Sequence, residues 1–355
     1  MKAVTVTPRQ PHSGRIRDVP RPDAAAGQAL VQVLNVGICG TDSEIHEGLY
    51  GEAPAGSDYL ILGHESFGRV VEAPAGGALA PGDLAAAVVR RPGQCVNCQR
   101  GEYDMCVDGD YRERGIRAMH GYMCEYYAES PEYLVKVPQQ FKSIGVLMEP
   151  MSVVQKAIFQ ALKIQERMFW KPERALVVGA GPIGLLATLI LRLRGIETYA
   201  VERTRKQSRT ELLDEVGAGY IVTSEEPLLD AGKRLGRLDL IVEATGNASA
   251  VFESLQILGV NGVLCLTGVS GGTTRLEVPA DQINLAMVLG NKTTFGSVNA
   301  NRRYFEHGLA DFEAAEQRWP GWLEQLITRR LPLDDFAEGL KRRRDDVKTI
   351  LEVAS

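Results

Sequence analysis

The sequence has few cysteines, little net charge and no long uninterrupted apolar run, and each shortage excludes a class of protein. Six cysteines in 355 residues are too few for the disulfide framework of a small secreted domain. A formal net charge of -5 gives no overall attraction to nucleic acid. The longest apolar stretch, residues 175–191, is broken by glycine and proline at Gly179, Gly181, Pro182 and Gly184. A membrane span is therefore not predicted.

The N-terminal segment indicates where the protein works. Its first ten residues, MKAVTVTPRQ, read as a short strand followed by a proline turn and contain no apolar signal-peptide core. A Cys-x2-Cys pair in a chain without an export signal favours metal or redox chemistry in a reducing compartment. We therefore expect a cytoplasmic protein that binds a small molecule, with neither a membrane nor nucleic acid as a partner.

The length and the order of segments predict two domains. A chain of 355 residues exceeds what one hydrophobic core usually organises. Before Val153, β-rich runs alternate with glycine and proline turns, which is typical of an antiparallel, barrel-like domain. After Val153, strands and helices alternate as in a parallel sheet. We expect an α/β chain in which a nucleotide-binding domain, residues 156–299, is inserted into a mostly β domain formed by residues 1–155 and 300–355.

Hydrophobic periodicity places the elements of the second half of the chain. The expected strands are residues 175–178, 198–201, 220–223, 238–243, 262–268 and 293–298. The expected helices between them are residues 183–193, 206–216, 248–258 and 281–288. Two further helices, residues 305–319 and 323–343, and a last strand, residues 348–353, complete the prediction.

A glycine fingerprint follows the first strand of this expected parallel sheet. Gly179, Gly181 and Gly184 form G-x-G-x-x-G between an apolar strand and a helix, the context in which the pattern indicates a dinucleotide site. The alternative is a glycine turn that serves strand-helix packing alone. We interpret the fingerprint as that of a Rossmann domain, in which the first glycine permits the turn, the second admits the pyrophosphate and the third allows close packing. The expected cofactor contacts here are Gly179, Gly181, Pro182, Ile183 and Gly184.

The charged residues at the end of the second expected strand favour different coenzymes. Glu202 lies about twenty residues after the fingerprint, where an acidic residue holds the ribose hydroxyls of NAD. Arg203, Arg205 and Lys206 follow directly, and a guanidinium there could bind the extra phosphate of NADP. The sequence favours NAD and leaves NADP open. The remaining cofactor contacts are expected after the later strands, at Thr245, Gly268 and Ser270.

Three turns of the chain carry residue types that bind zinc. Cys39 lies in GICGTD, His64 and Glu65 are adjacent in LGHESFGRVVE, and Glu149 lies in MEP. Cysteine, histidine and carboxylate together suit Zn²⁺, and a catalytic zinc keeps one position open for water or substrate. Each residue alone has an ordinary explanation, as a buried thiol, a hydrogen-bonded turn or a surface carboxylate. Only their combination indicates a catalytic metal.

These motifs and ALVVGAGPIG occur in the order and at the spacings of zinc-containing medium-chain alcohol and polyol dehydrogenases, which the chain resembles over nearly its whole length. Within that superfamily it resembles the microbial, especially archaeal, glucose dehydrogenases, through CGTDSEIHEG, RRPG, ERGIRAMHGYM, EATG and GSVN. The resemblance implies a GroES-like catalytic domain beside the Rossmann domain and assembly as a homotetramer or homodimer. It also implies that a sugar hydroxyl, such as that of glucose, gives up a hydride to NAD(P) and that the aldose becomes a lactone.

The resemblance assigns the metal ligands. It implies that Cys39 and His64 bind the catalytic zinc and that Glu65 does so directly or through water. Glu149 stands where many alcohol dehydrogenases carry a second cysteine. Exchanging that thiolate for a carboxylate would make the site harder and its coordination more exchangeable.

The resemblance also assigns the groups that handle the alcohol proton. Thr41 would contact the substrate and take the proton, while Asp42 would hydrogen-bond His64 and fix its tautomer. Many alcohol dehydrogenases have a relay histidine five residues after the ligand cysteine. Glu44 stands at that position here, so Glu44 and His46 are both candidates for the proton exit.

A second group of cysteines resembles the structural zinc lobe of the superfamily. Cys95, Cys98 and Cys106 match three of the usual four cysteines, and Pro92 stands in place of the first. Zinc could still bind if a carboxylate closed the tetrahedron, and the alternative is an empty lobe with free thiols. The carboxylates near enough in sequence are Asp108, Asp110 and Glu113.

The substrate assignment rests on Glu113 and Asn299, which match positions that contact sugar hydroxyls in the glucose dehydrogenases. Paired polar groups suit a polyhydroxylated ligand. The alternatives are that Glu113 caps the cysteine lobe and that Asn299 holds a turn or touches the cofactor. Another polyol, an aminocyclitol, a secondary alcohol or an amino-acid side chain are alternative substrates. A non-catalytic binding protein of the same fold is the remotest alternative, since the zinc ligands and the fingerprint are all present.

Overall fold

The structure is a computed structural model that describes residues 1–354. Contacts within these residues divide the chain into two compact units. The first unit comprises Met1–Ser152, Asn299–Leu309 and the chain from Leu323 onward, and the second comprises Val153–Val298 and Ala310–Trp322. Among the described residues, no helix is both long enough and apolar enough to cross a membrane.

Strands and helices are numbered here in chain order. The strands are β1 (Lys2–Val6), β2 (Arg15–Asp18), β3 (Ala29–Ile38), β4 (Leu60–Ile61), β5 (Glu65–Glu72), β6 (Leu84–Ala87), β7 (Arg90–Arg91), β8 (Arg112–Arg114), β9 (Ala118–Met119), β10 (Tyr126–Glu129), β11 (Leu134–Val137), β12 (Arg174–Val178), β13 (Glu197–Glu202), β14 (Gly219–Val222), β15 (Leu240–Glu243), β16 (Val263–Leu266), β17 (Thr293–Gly296), β18 (Ile327–Pro332) and β19 (Lys348–Glu352). The helices are α1 (Gly40–His46), α2 (Val96–Gln99), α3 (Met148–Gln165), α4 (Pro182–Leu193), α5 (Gln207–Glu215), α6 (Leu228–Leu235), α7 (Ala248–Ile257), α8 (Ala280–Leu289), α9 (Arg302–Arg318), α10 (Trp322–Gln325) and α11 (Phe336–Gly339).

The main sheet of the first unit has the strand order β11-β6-β5-β3-β19-β18, and β10 also pairs with β3. Its neighbouring strands are antiparallel except β18 and β19, which are parallel. Strand β3 lies in the interior, and Val31, Val33 and Val36 form a core with Leu351 of β19. Burying an aliphatic side chain of this kind contributes about 1.5–3 kcal/mol. The last strand therefore completes a sheet that begins near the N-terminus, and it places Ile350 opposite Gly37.

The second unit contains a parallel sheet with the strand order β14-β13-β12-β15-β16-β17. Numbered along the unit, this order is 3-2-1-4-5-6, the Rossmann arrangement, in which a ligand crevice lies where the order reverses between the first and fourth strands. Val177 of β12 pairs with Ala200 of β13 on one side and with Val242 of β15 on the other. Helix α4 begins at Pro182, because proline fits the first helical position. The turns after β12 and β15 therefore mark the expected nucleotide site.

The predicted strands of the parallel sheet, the four helices predicted between them and the last strand lie within two residues of their observed bounds. The helix predicted over residues 323–343 is wrong, since the structure has α10, β18 and α11 there. Side-chain exposure alternates along β18 with the period of a strand. Its parallel pairing with β19 outweighs the local helical spacing. Helix α6 was not predicted.

The observed units differ from the expected domain boundaries at residues 153–155, at Asn299 and, over a longer segment, at Ala310–Trp322. Residues 300–355 were all expected to join the β domain, whereas Ala310–Trp322 groups with the parallel-sheet unit. Trp322 explains this grouping, because its fully buried indole Nε1 donates a 2.8 Å hydrogen bond to the carbonyl of Leu212. The buried Phe312 and Ala315 belong to the same segment.

Candidate active site

Cys39 lies where the chain leaves β3 and enters α1. Its Sγ accepts a hydrogen bond from the backbone N–H of Thr41 at 3.3 Å. Its own N–H donates to Oδ2 of Asp42 at 2.9 Å. The GICGTD segment thereby fixes the position of the thiol at the start of the helix.

The buried ring of His64 lies between Cys39 and Asp42. Its Nε2 is 3.1 Å from Sγ of Cys39, and its Nδ1 is 3.4 Å from Oδ1 of Asp42. Burial by itself would lower the pKa of His64, but the charges of Cys39 and Asp42 outweigh it and raise that pKa well above its usual value. The arrangement directs Nε2 to the thiol and Nδ1 to the carboxylate, as a metal-binding histidine requires.

Glu65 lies against Gly37 and Lys348, neither of which had a predicted role. It lies opposite Gly37, where a Cβ atom would be 1.9 Å from Oε2 of Glu65. The buried Lys348 forms an ion pair with Oε2 of Glu65 and donates to the carbonyl of Ile38 at 3.0 Å. Burial opposes the charge on Lys348, but Glu65 and then Cys39 raise its pKa. A lysine at the start of the last strand was the only sequence signal for it.

Glu149 lies in the first turn of α3. Burial and then the charge of Glu65 raise its pKa to about 7. The ligand atoms of Cys39, His64 and Glu65 lie within 4.8 Å of one another, and within residues 1–354 this group does not extend to Glu149. The structure thus brings three of the four predicted ligands together, with the fourth close enough to interact electrostatically. A thiolate, an imidazole and a carboxylate that converge in a buried site fit the donor set of Zn²⁺.

The two candidates for the proton exit lie among different side chains. Burial raises the pKa of Tyr50, which also responds to the side chains of Thr41 and Glu44. His46 instead packs edge-on against His12, with the ring centres 5.5 Å apart. Burial and then His12 lower the pKa of His46. The side chains of Glu44 and Thr41 therefore both interact with Tyr50, whereas His46 packs against His12.

The cysteine lobe brings its three thiols together. Sγ of Cys95 is 3.5 Å from that of Cys98 and 3.8 Å from that of Cys106. Backbone N–H groups of Cys98 and Val107 lower the pKa of Cys95 to about 6, while burial raises that of Cys98 to about 11. Within the described chain, no carboxylate joins these sulfurs within 4.8 Å. The expected fourth ligands therefore lie outside the group, namely Asp108, Asp110 and Glu113.

Glu113 is occupied elsewhere, in a buried cluster with Arg90 and Asn299. Its Oε1 accepts hydrogen bonds from Nε and Nη2 of Arg90 at 3.1 and 2.9 Å. The same oxygen accepts from Nδ2 of Asn299 at 2.8 Å. The structure thus brings together the two predicted substrate residues, which lie 186 positions apart. The sequence analysis quotes Arg90 only within RRPG and gives it no role, because only the pairing of β7 with β8 sets it beside Glu113.

The three glycines of the fingerprint differ in how much room a Cβ atom would have at each position. Gly179 has φ of +108°, a conformation that favours glycine. A Cβ on Gly184 would lie 1.7 Å from the carbonyl oxygen of Gly179, whereas one on Gly181 would meet no atom within 4 Å. The middle glycine therefore faces open space, as a dinucleotide contact needs. The buried Arg209 supports this turn by donating to the carbonyl of Ala180 at 3.0 Å.

The turns after β15 and β16 form one hydrogen-bonded group. The buried Glu243 accepts from the backbone N–H of Thr245 at 2.8 Å and from that of Gly246 at 3.2 Å. The hydroxyl of Ser270 donates to the carbonyl of Gly246 at 2.5 Å, and a Cβ on Gly268 would lie 2.1 Å from the nitrogen of Gly246. Three predicted cofactor residues, Thr245, Gly268 and Ser270, thus surround Gly246.

The charges beside Glu202 are arranged in pairs. Glu202 ends β13, and its Oε1 forms an ion pair with Nζ of Lys206. Arg205 pairs with the exposed Glu225 at 2.7 Å, and Arg203 is exposed. The carboxylate that would repel the extra phosphate of NADP is therefore already neutralised by a lysine.

Comparison with known proteins assigns both parts of the chain. Residues 25–139 match the family described as "Alcohol dehydrogenase GroES-like domain", and residues 142–353 match "Glucose dehydrogenase C-terminus". The chain belongs to the glucose dehydrogenase family. The expected fold, a Rossmann sheet with a GroES-like domain, and the resemblance to zinc-containing medium-chain dehydrogenases are confirmed.

Several relatives of this glucose dehydrogenase family member match over its whole length. "Glucose 1-dehydrogenase" of Methanocella arvoryzae is 48% identical over 360 residues, which is 100% of both chains. "Glucose 1-dehydrogenase" of Thermoproteus tenax is 42% identical over 356 residues, 99% of each. The structure of Haloferax mediterranei glucose dehydrogenase "in complex with NADP, Zn and gluconolactone" aligns with a TM-score of 0.92 at 34% identity and covers 100% of both chains. These matches confirm a zinc-dependent and NAD(P)-dependent dehydrogenase that acts on CH-OH groups.

Lys206→Met is expected to shift this dehydrogenase away from NADP. Without the ammonium group, Glu202 repels the 2′-phosphate and is free to accept the ribose hydroxyls of NAD. A charged hydrogen bond is worth about 1.5–3 kcal/mol, so we expect the KM for NADP to rise roughly 10–100-fold while that for NAD does not rise. Initial rates with each coenzyme at saturating sugar measure both constants.

Lys233→Met is the matched control for this change. Lys233 also forms an ion pair in the parallel-sheet unit, with Asp230 at 3.0 Å, but it is exposed on α6. We expect it to change neither coenzyme constant. An equal rise of both constants in Lys206→Met, or no change in either, contradicts the role given to the pair.

Proposed function

We propose that this dehydrogenase oxidises the C1 hydroxyl of an aldose, glucose or a close relative, to the lactone while it reduces NADP or NAD. The observation that carries the proposal is the buried carboxylate of Glu113, which Asn299 and Arg90 hold by hydrogen bonds, because such an acceptor suits a ligand rich in hydroxyls. The named glucose 1-dehydrogenases and the Haloferax mediterranei complex with gluconolactone support it.

We propose Cys39, His64 and Glu65 as the residues that hold the catalytic zinc. Glu149 would add the second carboxylate, directly or through a water molecule. When bound, the zinc ion supplies Lewis-acid polarisation of the substrate hydroxyl. The protein itself keeps the donor atoms in place, and a charged His64 must lose its proton before Nε2 can bind metal.

We propose that the Thr41 hydroxyl contacts the substrate hydroxyl and that, as it takes the substrate's proton, it passes its own proton on. We propose Glu44 as the exit, because hydrogen bonds with the side chains of both Thr41 and Glu44 affect the pKa of Tyr50, whereas His46 packs against His12. Each turnover moves one hydride from the sugar carbon to the nicotinamide and releases one proton to water.

We propose that the coenzyme binds along the carboxyl ends of β12, β13, β15 and β16. Lys206, which neutralises Glu202, supports the use of NADP as well as NAD. The proposed contacts are Gly179, Gly181, Pro182, Ile183, Gly184, Glu202, Arg203, Thr245, Gly268 and Ser270. For the cysteine lobe we propose a structural zinc held by Cys95, Cys98 and Cys106, for which Asp108 or Asp110 would have to supply the fourth ligand; without such a ligand the lobe is empty and its thiols are free.

A matched pair of substrates tests the proposed activity. Glucose and glucitol share most of their hydroxyls, but only glucose has the cyclic C1 hydroxyl that yields a lactone. We expect kcat/KM for glucose to exceed that for glucitol and for simple secondary alcohols by at least about 10²-fold, since the site is built to pair specific hydroxyls. Formation of NADPH and NADH over a panel of aldoses, polyols and aminocyclitols measures this ratio.

Two outcomes of this panel favour the alternatives. Equal or faster turnover of glucitol or an aminocyclitol indicates an enzyme with the same chemistry on another substrate. No turnover of any alcohol together with no binding of a nicotinamide coenzyme indicates a binding protein.

We propose that the enzyme assembles as a homotetramer or homodimer through β17 and α8. Strand β17 is an edge of the parallel sheet, and α8 exposes Leu285, Val288 and Leu289 by 59%, 66% and 72%. Apolar side chains this exposed at an open sheet edge are typical of an interface between copies. Leu285→Lys with Val288→Lys is expected to reduce the mass measured by light scattering to that of a smaller species.

Leu49→Lys is the control for assembly, because Leu49 is 68% exposed but belongs to the first unit and not to β17 or α8. We expect it to leave the mass unchanged. A double variant on α8 with the wild-type mass contradicts the proposed interface.

We further propose a cytoplasmic location, which the free state of all six cysteines supports.

A further inference from the structure

We propose that Arg90 is the positioning residue of the sugar site: it holds one oxygen of Glu113 so that the other oxygen is presented to a sugar hydroxyl. The inference rests on the proposed function, since it takes a sugar as the ligand of Glu113. To the proposed function it adds two assignments: Arg90 sets the orientation of the Glu113 carboxylate, and Oε2 of Glu113 is the oxygen that contacts the sugar hydroxyl.

The contacts of Glu113 are unusual for a carboxylate beside arginine. A guanidinium commonly forms two parallel hydrogen bonds, one to each carboxylate oxygen. Here Nε and Nη2 of Arg90 both donate to Oε1, at 3.1 and 2.9 Å, and Nδ2 of Asn299 adds a third donor at 2.8 Å. One oxygen is saturated by three donors.

The other oxygen of Glu113 has acceptor capacity to spare. Within residues 1–354, no donor forms a hydrogen bond to Oε2 of Glu113. This oxygen is not fully enclosed by protein, so a ligand can reach it. The side chain is only 11% exposed, so bulk water solvates it poorly. A carboxylate in such a place gains most from a ligand that brings its own O–H donor.

Arg90 is itself fixed on several sides. Its Nη1 donates to the carbonyl of Asp104 at 3.1 Å, and its guanidinium lies 3.7 Å from the ring centre of Tyr111. Its side chain is 5% exposed. Each guanidinium nitrogen therefore has a protein partner, and the group acts through Glu113 instead of contacting the substrate.

Asn299 holds the same oxygen from the opposite end of the sequence. Its φ of +58° is a conformation that asparagine tolerates better than most residues. Its Oδ1 accepts from the N–H of Ala300 at 2.7 Å, which directs Nδ2 to Glu113. Arg90 and Asn299 together leave the carboxylate one orientation.

Arg90→Lys tests the proposal, because lysine keeps the charge but cannot form the planar two-donor contact. We expect the KM for glucose to rise roughly 10–100-fold, kcat to stay within about threefold and the KM for NADP to stay unchanged. The specific readout uses 2-, 3- and 4-deoxyglucose. Wild-type enzyme should discriminate against one of them, and Arg90→Lys should lose that discrimination while it retains any against the others.

Two further variants complete the design. Tyr111→Leu removes the ring beneath Arg90 and should cause the same selective loss to a smaller degree, so the test does not depend on one variant folding. Arg117→Gln is the matched control: Arg117 lies 5.0 Å from the centre of the same ring, forms its side-chain ion pair with Glu52 and leaves the Glu113 carboxylate untouched. It should leave the KM for every sugar unchanged.

Glu113→Gln separates failure of this inference from failure of the proposed function. If Glu113→Gln leaves the KM for every sugar unchanged, the sugar assignment of this site is wrong. If Glu113→Gln raises the KM for glucose but Arg90→Lys and Tyr111→Leu do not, only the role of Arg90 is wrong. An equal rise for glucose, all three deoxy sugars and NADP in Arg90→Lys overturns the inference, because it shows a general structural role.

Discussion

Cys39→Ser is expected to lower kcat/KM for glucose by at least about 10³-fold and to remove about one zinc ion per chain. The thiol lies at the centre of the cluster, 3.1 Å from Nε2 of His64, and serine supplies a much weaker ligand. A catalytic zinc contributes several kcal/mol to the stabilisation of the transition state, which corresponds to a loss of this size. Metal analysis and initial rates on the same preparation measure both effects.

Cys124→Ser is the matched control for Cys39→Ser. Cys124 is a buried thiol of the same unit, and it belongs neither to the group of Cys39, His64 and Glu65 nor to the cysteine lobe. We expect it to retain the wild-type zinc content and kcat/KM. Full activity in Cys39→Ser, or loss of activity with the metal content unchanged, contradicts the assignment of Cys39 as a zinc ligand.

Lys348→Met is expected to lower the free energy of unfolding of the zinc-free enzyme by about 3–5 kcal/mol, the usual cost of leaving a buried charge without its partner. Lys348 is 1% exposed and forms its ion pair with the equally buried Glu65. Zinc should restore part of the loss, because the metal ion supplies positive charge to the same carboxylate. Urea denaturation with and without zinc measures the difference.

The exposed Lys2 provides the comparison for Lys348. It forms an ion pair with Asp334 at 2.7 Å, with both side chains about half exposed. Surface pairs of this kind contribute about 0–1 kcal/mol, so Lys2→Met should change stability little. The double variant Lys348→Met with Glu65→Gln should recover stability relative to Lys348→Met alone. Equal stability of Lys348→Met and wild type contradicts the role of the buried pair.

Features with a local cause could be predicted from the sequence. The parallel strands follow from apolar runs between turn residues, and the fingerprint follows from glycines with separate backbone requirements. Cys39, His64 and Glu65 could be named because each lies in a short motif. Their convergence within 4.8 Å depends on the pairing of β3 with β5 and was expected only through the family resemblance.

Features that depend on distant parts of the chain could not be predicted. Lys348 reaches the carbonyl of Ile38 across 310 positions, and Asn299 reaches Glu113 across 186. Single-sequence periodicity contains no information about such pairings. The same limit explains β18, whose residues have local helical spacing but pair in parallel with β19.

The coenzyme preference is a third case, in which the sequence contains charged residues that favour different coenzymes. Glu202 favours NAD and the basic residues after it favour NADP. The structure resolves part of this conflict, because Lys206 neutralises Glu202 in an ion pair. The pair forms at the end of β13, where β-strand and helix geometry decide which of the neighbouring cations reaches the carboxylate.

The central claim is that zinc held by Cys39, His64 and Glu65 is required to oxidise an aldose with a nicotinamide coenzyme. The most direct measurement is NADPH formation from glucose before chelation, after removal of metal and after zinc is restored, with the zinc content determined at each stage. The account predicts turnover at the start, loss of at least about 99% of it in the zinc-free enzyme, and recovery in proportion to the zinc regained. Undiminished turnover in enzyme shown to be free of metal contradicts it.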